Sequence, residues 1–164
     1  MLSSRMPMLT AHSLKIALFQ PQIAPNTGNI ARLCVATGTE LHLVRPLGFV
    51  LSDRNLKRSA MDYWPRLKLT VHDDNAAFFD SVPRDRCWFF STKATRSFWN
   101  APYQDADTLV FGSETHGLPD DLATDPERSL RIPQSPDERC LNLSTAAGIA
   151  LYEALRVVTA TRTP

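Results

Sequence analysis

The sequence predicts a single α/β domain whose sheet is mostly parallel and is flanked by helices. Its 164 residues are about the size of one domain, and an apolar fraction of 43% suffices for a hydrophobic core. A strand, a helix and a second strand follow one another within about 30 residues, the spacing of a βαβ unit in a parallel sheet. Several short β-rich runs and one long amphipathic helix come after them. We therefore expect one domain over residues 14–164, preceded by a loose extension over residues 1–13.

The first βαβ unit begins with the apolar run LKIALFQ, which starts at Leu14, is ended by Pro21 and is typical of a buried strand. Helical spacing then relates Ile30, Leu33, Cys34 and Thr37. Gly38 is expected to end this helix, and Asn26 or Thr27 to cap its start. The run ELHLVRP is the second predicted strand.

The rest of the chain contains four further candidate strands and two helices. LKLTV, CWFFST and TLVFGS are β-rich, with a short helix, DNAAFFD, between the first two, and LRIP is a strand cut off by Pro133. On the final helix, NLSTAAGIALYEALRVV, an apolar stripe consists of Leu143, Ala147, Ala150, Leu151, Ala154, Leu155 and Val158. Another face holds Gly148, Tyr152 and Arg156. We expect Tyr152 either at a contact across a two-fold axis or buried inside the monomer.

Charge and cysteine content exclude several classes of protein. With 18 Lys+Arg against 17 Asp+Glu, the net charge is +1, so any charged partner must meet a local patch. The three cysteines are far apart and include no CxxC pair, which fits neither a disulfide framework nor a zinc ribbon and indicates a reducing cytoplasm. No apolar run approaches the roughly 18 to 20 residues of a membrane span, and the N terminus makes a poor signal peptide.

One stretch, residues 53–68, is locally basic. Contact with an anionic partner is its functional interpretation, and a solvated face is the alternative. Its basic residues are Arg54, Lys57, Arg58, Arg66 and Lys68, against two aspartates.

Three polar motifs each follow a predicted strand: PNTGNIAR, FGSETHGLP, and IPQ followed by CLNLS. Because ligand sites in open α/β sheets lie beyond the carboxyl ends of strands, we expect the three loops to share one site. Arg32 lies off the apolar stripe of the first helix, where its guanidinium would either clamp a phosphate or be solvated. Asn142 or Ser144 either caps the last helix or belongs to a pocket wall.

The motif FGSETHGLP is not a phosphate-binding P-loop, because no Lys-Ser/Thr pair follows its second glycine. The chain also lacks GxSxG, HExxH and any metal-spaced cluster, so we expect neither a serine hydrolase nor a metal site. Gly112 and Gly117 indicate backbone strain or close approach of a ligand. A valine at position 112 is accordingly expected to exclude a ligand and leave the fold intact. His116 is interpreted as a loop residue rather than a catalyst.

Taken in order, NTGNIAR, FGSETHGLP and IPQSPDERCLNLSTAAGIALYEALR closely resemble the three motifs of the SPOUT class of knotted RNA methyltransferases, over residues 14–158. The short single-domain form, the segment LFQPQIAPNTGNIARLC and the downstream MDYW are similar to the tRNA (cytidine/uridine) 2′-O-methyltransferase family, which acts at the wobble position. The resemblance implies a C-terminal trefoil knot, an exception to the usual unknotted connections. It also implies S-adenosylmethionine, bent within the knot and held largely by backbone groups.

The resemblance further assigns roles to individual residues. The family's motif-one arginine corresponds to Arg32, and its motif-three asparagine and serine correspond to Asn142 and Ser144, so we place these three in the catalytic region. Asn26 and the basic residues of segment 53–68 are expected to contact RNA. The residues expected to bind S-adenosylmethionine are Phe90, Ser91, Thr92, Gly112, Glu114, Gly117, Ile132, Cys140 and Leu141.

The resemblance implies a homodimeric, cytoplasmic enzyme that methylates a ribose 2′-hydroxyl in the anticodon loop of tRNA. An arginine side chain makes an implausible unaided base, so Arg32 either stabilises the developing alkoxide or binds an RNA phosphate. Gln134 and Cys140 depart from the family's usual Met and Ser, which bears on cofactor affinity. Two alternatives stay open: a ribosomal RNA ribose as substrate, and a noncatalytic RNA-binding protein on the same scaffold.

Overall fold

The computed structural model describes residues 9–52 and 62–161, which form a six-stranded parallel sheet between two layers of helices. The strands are β1 (Lys15–Phe19), β2 (Glu40–Val44), β3 (Leu69–His72), β4 (Cys87–Phe90), β5 (Thr108–Phe111) and β6 (Ser129–Leu130). They are ordered β3-β2-β1-β5-β4-β6, and each neighbouring pair is parallel. The predicted mostly parallel sheet is therefore confirmed.

The described helices are α1 (Ala24–Thr37), α2 (Asn75–Ser81), α3 (Asp120–Ala123) and α4 (Leu143–Ala160). Gly38 ends α1 in the left-handed conformation, φ 75°, as predicted. The predicted cap at Asn26 or Thr27 is wrong, because α1 begins after Ile23 and both residues are buried within its first turns. Pro25 lies in the first turn, where its fixed backbone angle suits a helix and its missing N–H costs nothing. No helix in the described part of the chain is long and apolar enough to cross a membrane.

Strand β6 is shorter than the predicted strand LRIP. The N–H of Arg131 donates to the carbonyl of Arg96 at 2.8 Å, and the carbonyl of Arg131 accepts from the N–H of Phe98 at 3.0 Å. Arg131 therefore pairs with Arg96 and Phe98 and not with a strand of the sheet, which the chain leaves after Leu130.

Side-chain alternation along β1 divides the core between the two faces of the sheet. Ile16 and Leu18 pack with α1 and α4, whereas Ala17 and Phe19 pack with α2 and α3. The apolar stripe predicted on the last helix is buried, except for the half-buried Leu143.

Helices α1 and α4 pack side by side on one face of the sheet. A Cβ atom at Gly148 of α4 would lie 4.0 Å from Cδ2 of Leu33 in α1, so the two helices meet there without crowding. Tyr152, four residues after Gly148 on the same face of α4, is 54% exposed. The alternative in which the monomer buries Tyr152 is therefore wrong. Arg156 forms an ion pair within α4, with Nη2 2.8 Å from Oε1 of Glu153.

The chain before β1 is attached to the domain at two points. Nε2 of His12 lies 2.8 Å from the carbonyl oxygen of Thr37, and the N–H of Ser13 donates to Oδ1 of Asp105 at 2.6 Å. Residues 1–8 of the predicted loose extension lie outside the described residues.

The strand order reverses between β1 and β5. From this point β2 and β3 extend the sheet in one direction, and β4 and β6 extend it in the other. Loops that leave the carboxyl ends of neighbouring strands on either side of such a point diverge and open a crevice.

Candidate active site

A cavity of about 550 Å³ opens at the carboxyl ends of β4, β5 and β6. The loops that follow these strands form its walls, together with the start of α1. The three sequence motifs therefore meet at one place. The residues predicted to bind S-adenosylmethionine all line this cavity: Phe90, Ser91, Thr92, Gly112, Glu114, Gly117, Ile132, Cys140 and Leu141.

The cavity combines aromatic and apolar surface with positive charge. Phe90 and Phe111, at the ends of adjacent strands, stack with ring centroids 4.8 Å apart and planes tilted by 16°. Three lining cations were not found from the sequence, where nothing sets them apart from surface residues: Lys93, Arg131 and Arg139. Nζ of Lys93 lies 2.5 Å from Oδ1 of the exposed Asp120 and lowers the pKa of that carboxyl. A flat ring system and an anionic group could thus both be held here.

The loop after β5 folds back on itself through its two glycines. Gly117 has φ 67°, and its N–H donates to the carbonyl of Ser113 at 2.9 Å. A Cβ at Gly112 would collide with the backbone of Gly117 and Leu118. The expectation that a valine at Gly112 leaves the fold intact is therefore wrong, because the missing side chain makes room for the protein's own backbone. His116 is exposed, and its N–H donates to the Ser113 hydroxyl at 3.1 Å.

Glu114 caps α1 from across the cavity. Its carboxylate accepts hydrogen bonds from the N–H groups of Gln22 at 2.8 Å and Ile23 at 3.1 Å, and from Nδ2 of Asn26 at 3.2 Å. These backbone N–H groups belong to the two residues just before α1, so the carboxylate lies at the positive end of the helix dipole; no local side chain caps α1. Glu114 therefore lines the cavity while its oxygens serve α1.

Asn142 connects the third motif to the first. Its Nδ2 donates to Oδ1 of Asn26 at 3.0 Å, while its own Oδ1 accepts from the N–H groups of Ser144 and Thr145 at 2.9 and 3.4 Å. The Ser144 hydroxyl donates to the same oxygen at 2.7 Å. The predicted cap of the last helix is thus Asn142. One continuous network, Glu114–Asn26–Asn142–Ser144, joins all three motifs, and Ser144 itself is outside the cavity lining.

Arg32 is not brought to the cavity lining within one chain. It is exposed on α1, and its guanidinium carbon lies 5.1 Å from the ring centroid of Tyr63. The guanidinium carbon of Arg66 lies 5.6 Å from the same centroid. Tyr63 was not singled out from the sequence, although an aromatic ring within the basic stretch 53–68 is the kind of group that can hold a guanidinium.

The basic stretch is only partly described. Arg54, Lys57 and Arg58 lie outside the described residues, so their expected contacts with RNA stay predictions. Arg66 and Lys68 are both exposed at the carboxyl side of that gap.

The cysteines differ in reactivity according to burial. Cys34 and Cys87 are buried, which raises the pKa of each thiol to about 12 and makes both unreactive. Cys140 is exposed at the cavity. Within residues 9–52 and 62–161, no group of three or more His, Cys, Asp or Glu side chains is placed to hold a metal ion.

Comparison with known proteins gives a consistent result. Residues 13–152 match the model of the SpoU rRNA Methylase family. A tRNA (cytidine(34)-2′-O)-methyltransferase of Methylovorus glucosotrophus is 45% identical over 86% of this chain and 93% of its own. A solved structure concerning 2-OH methylation of C/U34 on tRNA has 44% identity and a TM-score of 0.86, covering 91% of this chain and 98% of its own. An AdoMet-bound rRNA methyltransferase from Sinorhizobium meliloti, 24% identical, shares the fold with a TM-score of 0.79 over 90% of this chain and 57% of its own.

Proposed function

This chain belongs to the SpoU rRNA methylase family, and from that premise we propose that it is a tRNA 2′-O-methyltransferase acting on the ribose of nucleotide 34, the wobble nucleotide. The observation that carries the proposal is the convergence of all three motifs on one cavity, in a chain that aligns over most of its length with a cytidine-34 methyltransferase. The methyl donor that fits the cavity is S-adenosylmethionine.

The residues present suit this donor. The stacked Phe90 and Phe111, with Ile132 and Leu141, offer apolar surface for an adenine ring, and Arg131 offers a cation for a carboxylate. Backbone groups of the three loops supply the remaining donors and acceptors. Contacts made by the backbone would not depend on the side chains of Gln134 and Cys140 at the cavity wall.

When bound, S-adenosylmethionine would supply a methyl group on a positively charged sulfur; transfer of this group to the ribose oxygen would release the neutral thioether and pass the hydroxyl proton to water. The protein must align the ribose hydroxyl with that bond and stabilise the charge that develops on the oxygen. Arg32 is proposed for this task, either directly or by binding the adjacent phosphate. Asn142 and Ser144 are occupied by the cap of α4, so we propose that they position the cavity wall rather than touch the reacting atoms.

We also propose that the enzyme works as a cytoplasmic homodimer, with a trefoil knot at its C terminus. The chain passes from β6, at the edge of the sheet, to α4 beside α1, and the connecting segment lines the same cavity as the loops after β4 and β5. This shared location of the three loops supports a knot at that end of the sheet. Exposed Tyr152 on α4 supports pairing of two copies, which would extend the surface for a folded tRNA.

The test maps 2′-O-methylated nucleotides in RNA from cells with and without the gene. We expect loss of the methyl group at position 34 of a subset of tRNAs, and its restoration by purified protein with S-adenosylmethionine. The family's rRNA description gives the second candidate substrate, and loss of a ribosomal methyl group instead would favour it. No change in either RNA, with no cofactor binding in calorimetry, would indicate a noncatalytic RNA-binding protein.

A further inference from the structure

Arg32 is held by an aromatic ring rather than by a carboxylate. Its guanidinium carbon lies 5.1 Å from the centroid of the half-buried Tyr63 ring, within the roughly 6 Å range of a cation–π contact. Within residues 9–52 and 62–161 no acidic side chain forms an ion pair with Arg32, although the chain forms such pairs at Arg84, Arg86 and Arg156.

This mode of support leaves the arginine free to act. A carboxylate partner would occupy two of the five N–H donors and neutralise the charge. A ring beneath the guanidinium fixes its plane and leaves the N–H donors at the edge available for oxygen atoms of a ligand. An arginine required to meet an alkoxide or a phosphate needs this combination of fixed orientation and free donors.

A short turn orders the backbone at Tyr63, and a second cation shares its ring. Tyr63 precedes a short 3₁₀ turn, Trp64–Arg66, and its carbonyl accepts from the N–H of Arg66 at 2.9 Å. The side chain of Arg66 returns over the same ring, 5.6 Å from the centroid, and donates to the carbonyl of Asp62 at 3.3 Å. Two guanidinium groups thus share one ring and concentrate positive charge beside it.

We propose that Tyr63 is a positioning residue for methyl transfer, which holds the Arg32 guanidinium in its working orientation through its aromatic face. The inference rests on the proposed function, since it assigns Arg32 a part in the reaction. It concerns the ring and not the hydroxyl, so phenylalanine should replace tyrosine with little effect and an aliphatic residue should not.

The experiment compares single-turnover methylation of tRNA by wild-type protein, Tyr63→Phe and Tyr63→Leu, each also in the Arg32→Ala background. We expect Tyr63→Phe to stay within about twofold of wild type and Tyr63→Leu to slow methyl transfer about three- to tenfold, with S-adenosylmethionine affinity unchanged. In the Arg32→Ala background, Tyr63→Leu should cause no further loss. Equal losses in Phe and Leu, or a loss that adds fully to Arg32→Ala, would overturn the proposal.

A second measurement uses NMR of the wild-type protein alone. A stacked ring shifts the NMR signals of the guanidinium group and the adjacent methylene protons of Arg32 upfield, and the wild-type protein should show this shift. Ordinary shifts for Arg32 in the folded wild-type protein would refute the contact. Failure of the wild-type protein to methylate tRNA would instead refute the proposed function, so the two failures are distinguishable.

Discussion

At the scale of single residues, Glu114 shows how the site depends on contacts between distant parts of the chain. Its carboxylate and the N–H of Gln22 that it caps are 92 residues apart in the sequence. The cap by Asn142 was predictable, because its partners Ser144 and Thr145 are two and three residues away. The cap by Glu114 was not, because local patterns carry no information about which loop arrives at a helix start.

The Glu114 cap is tested by Glu114→Gln, which keeps the shape but loses the charge and one acceptor oxygen. We expect the free energy of unfolding to fall by about 1 kcal/mol, together with weaker S-adenosylmethionine binding, because the α1 start and the loop after β5 lose their connection. Urea denaturation and calorimetry measure the two effects. Glu127→Gln, which neutralises an exposed glutamate away from the cavity, is the matched control. Equal stability of the two variants would contradict the assigned cap.

Two glycines are predicted to respond to alanine in opposite directions. A Cβ at Gly112 collides with the loop backbone, so Gly112→Ala should lower the free energy of unfolding by more than about 2 kcal/mol. A Cβ at Gly148 would make only an ordinary van der Waals contact with Leu33, 4.0 Å away, so Gly148→Ala should raise it by about 0.5 to 1 kcal/mol through helix propensity. Chemical denaturation of both variants checks the pair, and a neutral Gly112→Ala would show that the loop relaxes freely.

Arg32 is predicted to affect chemistry rather than folding. Arg32→Ala should keep the melting temperature and cofactor affinity, because the residue is exposed and off the cavity lining, but should lose most activity. Arg32→Lys should recover only part, since an ammonium keeps the charge without the planar fork. In single-turnover assays at saturating tRNA, a slower methyl transfer step indicates transition-state stabilisation, and a defect confined to tRNA affinity indicates a phosphate contact. Wild-type rate and affinity in Arg32→Ala would refute the assignment.

At the scale of elements, the buried strands were predictable because parallel strands covered on both faces are continuous apolar runs. The length of β6 was not, since it depends on Arg96 and Phe98 pairing with Arg131. Edge strand β3 holds a further feature that periodicity does not show. Nδ1 of His42 in β2 and Nε2 of His72 in β3 lie 2.8 Å apart, and both side chains are buried.

This histidine pair predicts acid sensitivity of the sheet edge. Burial lowers the pKa of both His42 and His72 below the usual value of 6.5, although Glu40, whose Oε1 is 3.0 Å from His42 Nε2, opposes the shift. Because these two histidines bind protons more readily in the unfolded chain, protonation favours unfolding. The folded state therefore has its full stability above pH 6.5, and its free energy of unfolding falls as the pH drops below that value. Unfolding free energies between pH 7 and pH 5 should fall less steeply in His42→Gln than in wild type. His116→Gln, at an exposed loop, should leave the slope unchanged, and identical slopes in all three proteins would exclude the pair as the cause.

At the scale of the whole molecule, the sheet and the shared cavity could be predicted from the sequence. The strand patterns predict the sheet, and ligand sites in open α/β sheets lie beyond the carboxyl ends of the strands. The assembly could not be predicted, because an exposed apolar side chain has the same sequence pattern whether it meets solvent or a second copy. Tyr152 and Ile149 of α4 are 54% and 39% exposed, on the helix capped by the Asn142 that donates to Asn26. A two-fold contact there would place two copies of the site on one continuous surface.

The dimer is tested by Tyr152→Glu, which would place a charge at the centre of the proposed contact on each subunit. Burying two carboxylates close together is unfavourable, so sedimentation should show a shift towards monomer, and tRNA affinity should fall. The far-UV spectrum should stay unchanged, because Tyr152 is 54% exposed and is not one of the buried core residues. Trp99→Glu is the matched control. Trp99 is 62% exposed and lies near β6, at the edge of the sheet, and not on α4. This variant should leave both association and tRNA binding as in wild type. A Tyr152→Glu protein that sediments as a dimer would move the interface away from α4, and the proposal that two subunits jointly bind one folded tRNA would then need a different surface.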